Sequence, residues 1–87
     1  MKLVKMNHKV YCQILANRIL SLCKNRGITV NKLAELSGIP HSTLVNLTNL
    51  RTFSPELKTL HKIATALGMT PAEFLDFEEL SEFSFEE

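Results

Sequence analysis

The segment NKLAELSGIPHSTLVNL, residues 31–47, closes one short amphipathic run at Ser-Gly and opens another within a few residues. Ala34, Gly38, Leu44 and Leu47 stand four, six and three residues apart in it. Each of these residue types has a packing consequence. A small side chain at 34 lets a second helix approach closely, and Gly38 accepts the positive φ that a tight turn requires. Ile39, Leu44 and Leu47 then anchor the second run against the body of the protein. The spacing predicts two short helices packed across a sharp turn.

The rest of the chain supplies helices for that pair to pack on, five in all and no strand. Leu15, Ile19, Leu22 and Cys23 recur at helical spacing between Val10 and Arg26, with Gly27 as a stop. Thr29 is placed to cap a second helix carrying Leu33, Ala34 and Leu36, which Gly38 ends. The third runs from about Pro40 to Asn49. Ser54 before Pro55 reads as a cap followed by a first-turn proline, opening a fourth helix with Leu57, Leu60, Ile63, Ala64 and Leu67. Thr70, Pro71 and Glu73 form a T-P-x-E capping box for a fifth carrying Phe74, Leu75 and Phe77. Connections of two to five residues imply a compact all-α bundle.

With these residues in place the chain resembles the Cro and phage-repressor type, the XRE-type helix-turn-helix regulators. The likeness runs over about residues 18 to 77, through RGITVNKLAELSGIPHSTLVNL and SPELKTLHKIATALGMTPAEFL. It implies a five-helix bundle in which helix three enters the major groove of DNA, while the start of helix two and the loop after helix three hold phosphates. The chain then divides into a basic arm (1–9), a DNA-binding domain (10–77) and an acidic, Phe-containing tail (78–87). It departs from the family pattern at Val30, where a backbone-contacting glutamine is common, at Ser37, where an apolar residue is common, at Pro40, which replaces a capping hydroxyl, and at Leu50, which replaces a glycine.

The candidate contact residues follow from helical geometry and that resemblance together. At 100° per residue, Leu44 and Leu47 define an inward face and leave Ser42, Val45, Asn46 and Asn49 opposite, with His41 at the leading end. His41, Ser42 and Asn46 can hydrogen-bond base edges, and Val45 can touch a thymine methyl. Thr29 and Asn31 sit where unpaired amides and the helix dipole favour an anion. Lys32, Thr43, Asn49, Arg51 and Thr52 complete the candidate phosphate contacts.

Charge separates along the chain. Residues 1–62 hold all ten Lys and Arg beside two acids, Glu35 and Glu56, a balance of +8; residues 63–87 hold seven acids and no base, −7. A basic body suits a polyanion, and the acidic end cannot share that surface. Within that end, Phe77, Leu80 and Phe83 recur at i, i+3 and i+6, which predicts a helical extension with one apolar side for a dimer contact or a protein partner. Cys12 and Cys23, eleven apart on one helix, lie about 16 Å apart along its axis and cannot bridge within the chain. His8 and Cys12 are spaced for two metal ligands, but nothing completes a set of four.

No glycine-rich phosphate loop, metal motif or catalytic constellation is present, so neither an enzyme nor a cofactor is expected. No apolar stretch approaches the roughly 18 residues that cross a bilayer, and the opening residues lack a small-residue cleavage site, so the expected location is the cytoplasm. Two functional classes remain. One is a sequence-specific DNA-binding regulator, a repressor acting as a homodimer on a near-palindromic duplex. The other is a protein-interaction module on the same fold that works through its acidic end.

Overall fold

A computed structural model describes residues 4–6, 8–49 and 55–85 of the chain. Six helices lie among them: α1 (His8–Asn25), α2 (Val30–Ser37), α3 (His41–Thr48), α4 (Leu57–Ala66), α5 (Pro71–Leu75) and α6 (Glu78–Ser81). The all-α bundle expected from the sequence is the fold. α3 packs on α1 and α2, α4 on α2 and α5, and α6 on α1. The core at their junction includes Ile19, Leu33, Leu44, Ile63 and Phe74, each fully buried.

Local chemistry sets the helix ends. Thr29 is the N-cap of α2, its hydroxyl accepting from the Lys32 N–H at 3.0 Å. The Thr70 box forms in full: its hydroxyl accepts from the Glu73 N–H at 3.1 Å, and the Thr70 N–H donates to Glu73 Oε1 at 2.8 Å. The fourth helix starts later than Ser-Pro suggests. Ser54 lies outside the described residues, Glu56 is the N-cap, and the Leu60 N–H makes the opening bond to the Glu56 carbonyl at 3.1 Å. Pro55 therefore precedes α4 and is not part of its first turn.

The two ends of the chain also differ from the helical expectation. α6 extends the bundle for only four residues, and Phe83 lies in a strand, so Phe77, Leu80 and Phe83 do not share one helical stripe. That strand, β2 (Phe83–Phe85), pairs in parallel with β1 (Val4–Met6). The ring of Phe83 meets Tyr11 of α1 edge to face, with centroids 5.0 Å apart.

Two arginines fasten the later helices to α1 and to the turn that follows it. Arg18 donates from Nε to the Phe74 carbonyl at 3.0 Å and from Nη2 to the Glu73 carbonyl at 3.1 Å, and its guanidinium lies 4.7 Å from the Phe77 ring centre. Arg26 donates from Nε to the Leu67 carbonyl at 2.9 Å. Each bonds to carbonyls at the end of a helix, the pole where a cation is favoured. Cys12 and Cys23 are buried and unbridged. Burial pushes the Cys23 thiol up, with the Arg26 charge opposing, so it stays protonated.

Two outcomes follow. Arg18→Ala removes two charged hydrogen bonds and a ring contact, and should lower unfolding free energy in urea by about 2 kcal/mol, against a negligible change for exposed Lys24→Ala. Glu73 is held below its ordinary value of 4.5, first by the Thr70 backbone N–H and then by the Thr70 hydroxyl. Its contribution is complete above pH 4.5 and is lost as pH falls through the lowered value. Glu73→Gln cannot titrate, so the stability gap between the two proteins should close on acidification; a gap constant through the acid range refutes this.

Candidate nucleic-acid interface

The turn between α2 and α3 is built as its spacing suggests. Leu33 and Ala34 of α2, Ile39 of the turn, and Leu44 and Leu47 of α3 are all buried. Gly38 takes φ +73°, and its N–H donates to the Ala34 carbonyl at 3.0 Å, which closes α2 and reverses the chain. Ser37 fits at a position where an apolar residue is common because it is half-buried and its hydroxyl donates to the Ala34 carbonyl at 3.3 Å. Pro40 precedes α3 at φ −54° and supplies no side-chain cap.

With Leu44 and Leu47 inside, His41, Ser42, Thr43 and Asn49 are exposed. Val45 and Asn46 are half-buried, because the helix is flanked by α1 and α2 and it is the leading end of α3 that stands clear. Thr29, Asn31 and Lys32 are exposed at the head of α2. The Thr29 hydroxyl oxygen already accepts as the cap, which leaves its O–H and the first backbone amides of the helix as donors for an anion. Arg51 and Thr52 lie outside the described residues, as do Lys2 and Leu50.

The heads of α2 and α3 are joined directly by a hydrogen bond from His41 Nε2 to Asn31 Oδ1. An amide oxygen only accepts, so where Asn31 presents its oxygen a neutral His41 ring carries its proton on Nε2 and leaves Nδ1 as an acceptor. Asn31 is thus in contact with the leading side chain of α3, and the orientation of its amide decides which ring nitrogen carries the proton. Val30 packs against the core, so the polar contact at the head of α2 comes from the next residue. The sequence placed both residues at the interface but gave no sign of their pairing, which spans ten positions and depends on the turn angle.

Electrostatically the two helix heads are open to an anion. Neither α2 nor α3 carries an acid in its first turn. Glu35 lines the notch of about 300 Å³ between the helices, together with Asn31, Ala34, Ile39 and His41. Among the described residues no group of three or more His, Cys, Asp or Glu is placed to hold a metal, and no helix is long and apolar enough to cross a membrane.

The sequence pattern of the Cro/C1-type HTH DNA-binding domain matches residues 18–79. Among solved structures, an HTH_3 family transcriptional regulator from Vibrio cholerae is similar, with 28% identity and a TM-score of 0.71, over 79% of this chain and 38% of that one. This chain thus spans well under half the length of that regulator. The prophage Lp1 protein 11 is similar in fold, with a TM-score of 0.74 and 24% identity, over 91% of this chain and 99% of that one. Comparison with curated proteins gives no match.

The His41 tautomer can be measured without DNA. Long-range 15N–1H spectra at alkaline pH should show Nε2 protonated and Nδ1 bare, and Asn31→Ala should move the ring toward a mixture of both forms. An unchanged tautomer in Asn31→Ala shows that Asn31 does not decide it.

Proposed function

This chain belongs to the Cro/C1-type helix-turn-helix DNA-binding family, and from that premise we propose that it is a sequence-specific transcriptional regulator that represses by occupying duplex DNA. α3 lies in the major groove, with His41, Ser42, Val45 and Asn46 facing base edges. The head of α2 holds the backbone through Asn31, Lys32 and the amides beside Thr29. Thr43, Asn49, Arg51 and Thr52 supply further phosphate contacts. The observation that carries this reading is the division of α3, whose leucines are buried while its leading polar residues are exposed.

The Asn31 contact sharpens the expected readout. A His41 ring with Nδ1 as acceptor suits a base that offers a donor in the major groove, which is adenine N6 or cytosine N4. Asn46 suits adenine, by paired contacts to N6 and N7. The protein works in the cytoplasm as a homodimer, on a near-palindromic operator with half-sites about one helical turn apart.

The competing reading, an interaction module acting through the acidic end, is the weaker. Phe77 is engaged by Arg18 and Phe83 by Tyr11 within the chain, so the aromatic residues that would make such a contact already have partners.

Selection of bound duplexes from a random pool, at two salt concentrations, tests the proposal. A single near-palindromic site should emerge, with affinity falling as salt rises. His41→Ala and Asn46→Ala should each cost about 1 to 3 kcal/mol and relax preference at one base position, while Lys32→Ala should weaken all sites alike and reduce the salt slope by about one. Failure to enrich any sequence at either salt concentration rejects the assignment.

A further inference from the structure

A second surface, between the end of α2 and α4, has the features of a docking groove. Three large apolar side chains are exposed among the described residues, and two of them frame this groove: Leu36 near the end of α2, 52% exposed, and Leu57 at the start of α4, 70% exposed. The groove between them encloses about 570 Å³, and Lys58, His61 and Lys62 line it without any acid. None of these three side chains has a hydrogen-bond or ion-pair partner among the described residues. Lys58 and Lys62 stand one turn apart on α4, so a row of lysines runs beside the exposed Leu57.

We propose that this groove binds an acidic amphipathic helix of another protein. A helix with apolar residues at i, i+3 or i+4, and i+7 fills a groove between two helices, and carboxylates beside that stripe meet the lysine row. Charge complementarity selects the class of partner. A DNA backbone would match the lysines but leave both leucines in water, so it does not explain the surface. The chain's own acidic end is not the occupant, because α6 packs on α1 and the Phe77 and Phe83 rings are engaged there. The groove is separate from the notch between α2 and α3. Its residues come from α2 and α4 alone, and it shares none with the notch that holds Asn31 and His41.

The test is a display library of short helical peptides with an apolar stripe, flanked by positions drawn evenly from Asp, Glu, Gln and Lys, selected against the full chain with no DNA present. Enrichment of Asp and Glu at the flanks is expected. The enriched peptide, measured by fluorescence anisotropy, should bind Leu57→Ser and the paired Lys58→Glu, Lys62→Glu variant about tenfold more weakly. Both variants alter surface positions, and circular dichroism checks that they remain folded. Because no duplex takes part, failure of the DNA reading leaves this result standing. Absence of enrichment, preference for lysine flanks, or equal binding to the variants overturns the proposal. So does Leu57-dependent self-association in sedimentation, which makes a second copy the occupant. Peptide binding that rises about tenfold in Phe53→Ser would assign the groove to the chain's own 50–54 segment, and so overturns it too.

Discussion

Leu44 and Leu47 hold α3 against Leu33 and Ala34 of α2, and every statement about the polar side of α3 depends on that burial. Truncating a buried leucine costs about 2–5 kcal/mol, a large share of the 5–15 kcal/mol that a small domain has in total. The rotation of α3 about its axis is therefore set by the core, and the residues opposite the leucines have no choice of direction. Gly38 adds the angle between the helices. A Cβ built there meets nothing within 4 Å, so the requirement for glycine comes from φ +73° and not from crowding. A side chain in that conformation costs about 1–2 kcal/mol.

The same bundle shows why summed charge is a poor guide to where a polyanion binds. Arg18 and Arg26 belong to the basic stretch of the sequence, yet their guanidinium groups bond to carbonyls at the ends of α5 and α4. They join elements 41 to 56 residues apart, which no local pattern reveals. A lysine in either place would lack the planar fork that lets Arg18 reach two carbonyls and lie over Phe77 at once.

Three local signals were sufficient, whereas the equally local Ser54–Pro55 start misplaced the head of α4. Thr29 as the cap of α2, Gly38 as its stop and the Thr70–Glu73 box each rest on two to four neighbouring residues, and all three are present. The pairing of Val4–Met6 with Phe83–Phe85 was not legible, because two three-residue strands nearly a chain length apart carry too little periodicity to be recognised. The candidate interface divides in the same way. Helical spacing was enough to sort α3 into a leucine side and a polar side. It overstated the freedom of Val45 and Asn46, which α1 and α2 flank, and it missed the His41–Asn31 bond, which exists only once the turn has its angle.

The placement of the acids completes the electrostatic argument. Glu73, Asp76, Glu78, Glu79 and Glu82 lie on α5, α6 and their connections, and those helices pack on α4 and α1, while α3 packs on α1 and α2. The fold keeps those acids off α3, yet it brings part of the basic stretch beside them, for Lys5 of β1 stands opposite Ser84 of β2 and Arg18 of α1 bonds to the end of α5. With Arg18 and Arg26 engaged internally, Lys32 is the cationic side chain at the heads of α2 and α3 among the described residues, supported by helix N-termini that carry no first-turn acid. Each phosphate neutralised by a side chain contributes about 0.9 to the salt slope of duplex binding. Every cation such an interface lacks makes that slope shallower, and on the proposed reading the discrimination then rests on what His41, Ser42 and Asn46 make of the base edges.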